Sequence, residues 1–358
     1  MEELKNFLIK QVNNNVFTGS ALGFSKWRKG EYRRFTDYCG YTDNGRNKIR
    51  LTRDHFFDLA SLTKPLATGL ILFALFEKKI LSPEDTVSSF IKNCPGDKGN
   101  IRIKELMAHS AGFPPHREYF RELRHIAKEN KKSFLLDKLL DEKVDTQKGS
   151  VHCYSDLGYM LLGVIIEKIT GKSLGVLAED LVYKPLGLHN DLFYPGLDEK
   201  RDRIYVSTEK CLWGGERLSG VVHDDNCRAL DGECGHAGLF GTLNGVISLC
   251  ENILDQWSGR RDHPSYEKKI IREALVEIDA SGWTMGFDMV AGQGSSSGGC
   301  FSKKSVGHLG FTGTSFWIDP DQECMVVWLT NRVYFGRDNS ALKKLRPRVH
   351  DMLMKELL

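Results

Sequence analysis

A chain of 358 residues with 27% charged and 41% hydrophobic side chains and a formal net charge of +3 has the composition of a folded globular protein, long enough to bury a large core in one big domain or two interleaved ones. The densest basic run, Lys343-Lys344-Leu345-Arg346-Pro347-Arg348, is broken by Leu and Pro and reads as a solvated helix face, so no nucleic-acid partner is expected. Nine cysteines, an odd number with no C-x-x-C pair, indicate neither a disulfide framework nor a zinc site, and no metal or cofactor is expected.

Residues Met1 to Lys10 form a short amphipathic helix without the long apolar core of a signal peptide. No stretch approaches 18 apolar residues, so a membrane span is not expected and the expected setting is cytoplasmic. Val16 to Trp27 alternates small and apolar residues into a hairpin-like turn, Lys26 to Glu31; Tyr32 to Tyr41 reads as a second strand and Asp43-Asn44-Gly45 as another turn. The chain thus starts as antiparallel β.

At Ser61 the pattern becomes helical. Ser61 and Lys64, three residues apart, would lie about 60° apart and roughly 4.5 Å along one helical face, close enough for a desolvated lysine to assist a serine nucleophile. The helix start adds backbone N–H groups and a partial positive charge. Pro65 fits the first turn, and Leu70 to Phe76 continues as a buried helix closed by Glu77-Lys78-Lys79. Alone, this tetrapeptide reads first as an ordinary helix N-cap with a solvated lysine, so its companions decide.

The middle of the chain, to about residue 270, is mostly helical, with loops at Cys94-Pro95-Gly96-Asp97 and Gly112-Phe113-Pro114-Pro115. Residues 101–113 read as a helix ending at Gly112, with His109 as a structural histidine. Gly149 to Asp156 reads as a polar loop ahead of an apolar helix, Leu157 to Ile169, stopped by Thr170-Gly171-Lys172. Tyr154 and Asp156, at the end of that loop, are placed to point into a cleft; alone, Tyr154 would read as a half-buried packing residue. Residues 219–243 are Gly-rich and carry His223, Asp224 and His236. Their spacing matches no metal-ligand pattern, and the segment reads as a loop lining the cleft.

The last quarter returns to β, with a strand starting over 282–288, a Gly/Ser connection from Gly292 to Gly299, and a hairpin of Ser305 to Pro320 with Met325 to Asn331. A final helix is expected from about Asn339 to Leu357. Strands at both ends with helices between them give an α+β fold. Residues 1–60 and 275–358 would share an antiparallel sheet flanked by helices, residues 61–274 would form a mostly helical inserted domain, and the active site would lie in the cleft between them.

Three pieces now stand in order: Ser61-Leu62-Thr63-Lys64, Tyr154-Ser155-Asp156 and His308-Leu309-Gly310 on a late strand. The set resembles the S-x-x-K, Y-x-N and K-T-G motifs of the serine β-lactamase and penicillin-binding-protein superfamily, nearest its class C branch with the related family VIII-type esterases and D-peptidases. The likeness covers nearly the whole chain, through Phe57 to Ala60, Leu106 to Gly112, Tyr154 to Gly171 and Gly235 to Phe240. It implies a β-lactamase/transpeptidase-like fold and an acyl-enzyme on Ser61. Lys64 and Tyr154 would share the proton transfers, with Tyr154 activating the deacylating water. The oxyanion hole would be the backbone N–H groups of Ser61 and Phe311, and Asp156, His308, Leu309 and Gly310 would contact substrate.

Three positions depart from the family's pattern: its Asn is Asp156, its Lys is His308 and its Thr is Leu309. In the β-lactamases and D-Ala-releasing peptidases to which the resemblance points, that Lys and Thr help bind a substrate carboxylate. An uncharged His308, a Leu309 without a hydroxyl and a negative Asp156 weaken such recognition. The expected function is a serine hydrolase taking a small-molecule ester, amide or peptide, neutral or amine-bearing, with weak or no β-lactamase activity. The alternatives are a β-lactamase or D-Ala-D-Ala carboxypeptidase, and a non-catalytic binding or assembly protein on the same fold. Asp156 beside Lys64 also favours the protonated lysine. Either the pair stays ionised and Tyr154 carries more of the proton transfer, or Asp156 faces a substrate amine.

Overall fold

A computed structural model of the protein describes residues 1–46, 48–145, 153–196, 203–278, 282–292 and 294–358. Near the N-terminus, β1 (Gly19–Arg28) and β2 (Glu31–Gly40) pair antiparallel from Gly19↔Gly40 to Arg28↔Glu31. The turn between them, Lys29-Gly30, has positive φ at both residues, the backbone that a two-residue hairpin demands. A small sheet joins β3 (Phe57–Asp58), β4 (Leu192–Phe193) and β5 (Phe240–Gly241) in the order β3-β5-β4. Late in the chain come β6 (Asp288–Met289), β7 (Val306–Leu309), β8 (Ser315–Asp319) and β9 (Cys324–Thr330). The main sheet runs β2-β1-β9-β8-β7-β6, all antiparallel.

Helices cover both faces of this sheet, which gives the α+β class expected. On one face Leu22, Phe24, Trp317 and Trp328 pack with Leu4 and Leu8 of α1 (Glu2–Asn13) and with residues of the C-terminal helix, Ala341–Leu357, such as Val349 and Leu353. On the other, Ala21 and Val327 face Val246 and Ile247 of the helix Leu243–Ser258. Gly23 has no side chain because that helix lies so close: a Cβ there would sit 2.4 Å from Ile247 Cδ1.

The Ser61 segment is one helical run, Ala60–Glu77, long enough and on average apolar enough to cross a membrane by length and composition alone, although Ser61, Thr63, Lys64, Thr68 and Glu77 interrupt its apolar residues. It begins with a 3₁₀ turn, passes through a widened stretch at Lys64–Gly69 and ends as α2 (Leu70–Glu77). Leu66, Leu70, Ile71 and Phe73 are fully buried, so its apolar surface is taken up by the core. Beside it, α3 (Asp156–Thr170) is capped by Ser155, whose hydroxyl accepts from the N–H of Leu157, and ends at Gly171 in the left-handed conformation.

Three expectations need correction. The segment expected as one arm of a hairpin, Ser305 to Pro320, is two strands, β7 and β8. The turn between them closes through Gly310 N–H to Thr314 O, 2.7 Å, and Gly313 N–H to Gly310 O, 3.0 Å; Gly313 has φ +112°. The strand expected to start over 282–288 pairs with β7 only as β6. The helix expected over 101–113 is limited to Ile103–Met107, because His109 takes φ +56° and turns its ring into the core. Of the expected loop Gly149 to Asp156, residues 149–152 lie outside the described residues.

Asn331, at the end of β9 and 1% exposed, ties the sheet to the chain crossing its end. Its Oδ1 accepts from the N–H groups of Thr18, 3.0 Å, and Gly19, 3.2 Å, while its Nδ2 donates to Thr18 Oγ1, 2.7 Å, and Ser207 O, 2.8 Å. Asn331→Ala strands these buried groups, so it is expected to lower the unfolding free energy by about 3 kcal/mol or more. Chemical denaturation checks this through the midpoint at constant slope, and a loss below about 1 kcal/mol would show that the tie is dispensable.

Candidate active site

The site begins with strained backbone. Ala60, immediately before Ser61, has φ +49°, held by its N–H donating to Asp58 Oδ1 at 2.8 Å. The second oxygen of Asp58 accepts the N–H of His223 at 2.6 Å. Asp58 therefore fixes both the turn into Ser61 and the facing loop.

Two hydroxyls after the H-L-G triplet then tie the β7–β8 turn to this segment. Thr312 Oγ1 donates to Asp58 O, 2.8 Å, and Thr314 Oγ1 to Leu59 O, 3.0 Å. This brings Gly310 and Phe311 against the residues leading to Ser61. Gly310 has no room for a side chain, since a Cβ would lie 2.0 Å from Thr314 Oγ1 and 2.7 Å from Leu59 O. Phe311 stays half exposed, its ring between the imidazole of His223, 5.7 Å, and the guanidinium of Arg332, 4.7 Å. Leu309 is partly buried at the end of β7.

Lys64 is completely buried. Its Nζ donates to Ser61 Oγ at 3.1 Å, Asp156 Oδ1 at 2.7 Å and His236 O at 3.2 Å. An ammonium has three hydrogens, and each has an acceptor. Burial opposes the charge, but Asp156, followed by Tyr154, more than reverses it and holds Lys64 above the ordinary lysine value. Burial likewise opposes the Asp156 carboxylate, and Lys64 with His116 outweighs it, so Asp156 titrates far below its ordinary value. The resting pair is ionised, and Ser61 Oγ accepts from Lys64 rather than giving it a proton.

Tyr154 lies over this pair, its ring centroid 4.8 Å from Lys64 Nζ. Burial raises its pKa, against the lowering effect of Lys64. The ring is surrounded by His109 at 4.5 Å, Trp283 at 5.7 Å and His308 at 5.8 Å. His109 Nδ1 accepts the N–H of Ser155 at 3.1 Å, which leaves the proton on Nε2. His308 Nδ1 lies 2.8 Å from Leu309 O; a carbonyl only accepts, so Nδ1 carries the proton there. Burial first, and then the charge of Lys64, keep both rings neutral: His308 is pushed down to about 3 and His109 well below its usual value.

Behind the site, His236 Nε2 pairs with Asp224 Oδ1 at 2.9 Å. Asp224 outweighs the burial of His236 and holds it charged, while Asp224 is itself drawn down to about 2 against burial by His236. His223 turns away to Glu209, 3.0 Å. Among the described residues, no group of three or more His, Cys, Asp or Glu is placed to hold a metal ion. The loop serves Lys64 through a backbone carbonyl instead.

Geometry thus brings Ser61, Lys64, Tyr154 and Asp156 together, with His308 beneath Tyr154 and Gly310-Phe311 at the turn beside Leu59. Sequence reasoning missed Asp58, Thr312, Thr314 and His116. The hydroxyls of Phe311-Thr312-Gly313-Thr314, directly after the triplet, were the available signal; nothing local marked Asp58 or His116.

The family model described as Beta-lactamase matches residues 22–349. The N-acetylmuramyl-L-alanine amidase of Bacillus subtilis (strain 168) is 31% identical, over 91% of this chain and 76% of its own length. A protein of Escherichia coli (strain K12), provisionally named a D-alanyl-D-alanine carboxypeptidase, is 30% identical over 79% of this chain and 70% of its own length. Among solved structures, "EstCE1, a hydrolase with promiscuous acyltransferase activity" superposes with a TM-score of 0.73 at 20% identity, covering 98% of each chain. That likeness establishes the β-lactamase/transpeptidase-like fold.

The Lys64–Asp156 pair stabilises the fold fully between the ordinary carboxyl value of 3.8 and the ordinary lysine value of 10.5. Its contribution is lost as pH falls through the depressed carboxyl value or rises through the raised ammonium value. Asp156→Asn leaves the lysine buried without its counter-charge. It is expected to cost about 3 kcal/mol in denaturant unfolding, and to move the acidic limb of Ser61 phosphonylation by a fluorophosphonate to lower pH by about one unit or more. An unmoved limb would show that Asp156 does not set the lysine's proton affinity. Gly310→Ala should slow that phosphonylation about a hundredfold, the scale of one displaced oxyanion donor, with unchanged circular dichroism; wild-type rates would show that the approach of β7 to Leu59 is not needed.

Proposed function

The chain belongs to the Beta-lactamase family, a family of serine hydrolases, and from that premise we propose that it is an acyl-enzyme hydrolase acting through Ser61 on amides or esters with no free carboxylate beside the scissile bond. The observation that carries this reading is the charge pattern around the nucleophile. Where the family motifs offer Asn and a lysine cation, this site presents a carboxylate paired with Lys64 at 2.7 Å and a buried, neutral His308. A substrate carboxylate would meet a negative group and lose a positive one.

In the reaction proposed, Lys64 and Tyr154 act as one base after the pair has given up a proton. Ser61 Oγ bonds to the carbonyl carbon as its proton passes to that pair, and the developing oxyanion is received by the N–H groups of Ser61 and Phe311. The C–N or C–O bond then breaks and the proton goes to the leaving amine or alkoxide. Water, giving its proton to Tyr154, attacks the acyl-enzyme and releases the acid, and Ser61 regains its proton.

The Bacillus subtilis relative, matched over 91% of this chain, supports an amide in a muramyl peptide as substrate. In that bond the muramyl acyl group is joined to the alanine nitrogen, and where the peptide continues beyond alanine the alanine carboxyl is itself in amide linkage, in keeping with a site that disfavours carboxylates. The Escherichia coli relative supports a second reading, a D-Ala-D-Ala carboxypeptidase, against which Asp156 and His308 both argue. The presence of Ser61, Lys64 and Tyr154 together weighs against a non-catalytic binding protein.

Wild type and Ser61→Ala are compared by intact mass after exposure to a fluorophosphonate and to a penicillin, and by hydrolysis of a muramyl-L-alanyl peptide and a p-nitrophenyl ester. Ser61-dependent fluorophosphonate labelling is expected, with amine release from the muramyl peptide and penicillin acylation slower by about a hundredfold or more. Comparable rates on penicillin would overturn the reading of Asp156 and His308. Absence of any labelling would favour a binding protein.

A further inference from the structure

The ionised Lys64–Asp156 pair poses a problem for catalysis, because the base must first lose a proton that Asp156 helps to hold. The second oxygen of that carboxylate is engaged by a residue with no part in the motifs. His116 Nδ1 lies 3.3 Å from Asp156 Oδ2, and since a carboxylate only accepts, Nδ1 carries the hydrogen. One carboxylate therefore joins Lys64 on one side to an imidazole on the other.

The loop holding His116 is anchored to the start of α3. Asp156 N–H donates to Pro115 O at 2.9 Å, Ser155 Oγ donates to Pro114 O at 2.7 Å, and Asn226 Nδ2 donates to Arg117 O at 2.7 Å. His116 is thus fixed on both sides in sequence, yet its side chain is 45% exposed and can exchange protons with solvent. Lys64, by contrast, is sealed from it.

We propose that His116 is a positioning residue for the reaction: protonated and bonded to the second oxygen of Asp156, it draws the carboxylate's charge away from Lys64 and makes the Lys64–Tyr154 pair readier to receive the Ser61 proton. This rests on the reading of Ser61 as the acylated nucleophile. The charged groups around His116 fit the role. Asp156 faces it from α3, and Asp224 from the loop before the short helix Asp225–Ala229, with the charge of Asp224 matched by His236. On its own loop, Glu118 pairs with Arg121 and Arg117 pairs with Glu142. The bond to Asp156 raises the proton affinity of His116 against burial.

The coupling is reciprocal. A cation at His116 lowers the proton affinity of Lys64, and loss of the Lys64 proton raises that of His116. Below the pKa of His116, the working base form of Lys64 grows with pH. Above it, a proton leaving Lys64 is matched by one bound at His116, so the population of the working form levels off. A residue that merely packed the loop would leave no such mark on the pH profile.

The test measures the rate of Ser61 labelling by a fluorophosphonate from about pH 5 to about pH 10, bracketing the histidine range. Wild type should rise and then level at the His116 pKa. His116→Ala should be about tenfold slower below that pH and converge with wild type above it, whereas His116→Lys should match wild type at low pH and run ahead of it above. A pH-independent ratio between His116→Ala and wild type would overturn the proposal. A second measurement needs no active serine: the His116 imidazole is titrated by NMR in Ser61→Ala with and without Asp156→Asn. Its pKa should fall when the carboxylate is removed, and an unmoved titration would also overturn the proposal. Failure of wild type to label at any pH would overturn the acyl-enzyme reading, and the titration would still decide whether Asp156 couples to His116.

Discussion

One buried ammonium organises the centre of this molecule. Lys64 has no exposed surface, and an unpaired cation there would cost several kcal/mol. Its three hydrogens are met by Ser61 on its own helical run, Asp156 at the start of α3, and the His236 carbonyl from the loop before β5. Three chain segments far apart in sequence must therefore converge on one nitrogen. The widened turns at Lys64–Gly69 lie where this convergence meets the helix, and widened turns of this kind are frequent at functional sites.

The same demand shapes the groups around it. With the positive charge fixed at Lys64, further cations beneath Tyr154 would be repelled, and burial already disfavours them; His109 and His308 are accordingly neutral, each tautomer set by one backbone partner. The pair at His236 and Asp224 is the counterpart behind the loop, a charged histidine kept so by its own carboxylate. Carboxylate recognition, proton storage and packing are thus one electrostatic problem. Exchanging the family's Asn for Asp156 alters all three together, which is why the reading of substrate class and the role given to His116 depend on the same side chain.

Around that charge the rigid frame is built from short polar ties. Asp58 holds the strained Ala60 and the His223 N–H; Thr312 and Thr314 fasten the β7–β8 turn to the carbonyls before Ser61; Asn331 closes the far end of β9. Each replaces water at a buried backbone group that regular secondary structure leaves unpaired. They explain how Ser61 at a helix start can face a strand end from the other side of the chain without covalent staples.

Local pattern alone determined the first two strands, the buried helix after Ser61, α3 with its glycine stop, and the final helix, because apolar runs bounded by turn and cap residues are written locally. The motif residues Ser61, Lys64 and Tyr154 were legible for a similar reason, as their spacing and order match a known pattern. Local pattern failed where distant contacts overrode it. A helix over 101–113 was cut short because His109 turns under Tyr154, and Ser305 to Pro320 divided into two strands because Thr312 and Thr314 fold the turn onto Asp58 and Leu59. The sequence placed Asp156 beside the lysine but left its partners open. Only the tertiary structure decided that the pair is ionised and that its other oxygen belongs to His116, because proton affinities depend on burial and on charges brought together across the fold, and neither is encoded at any one stretch of the chain.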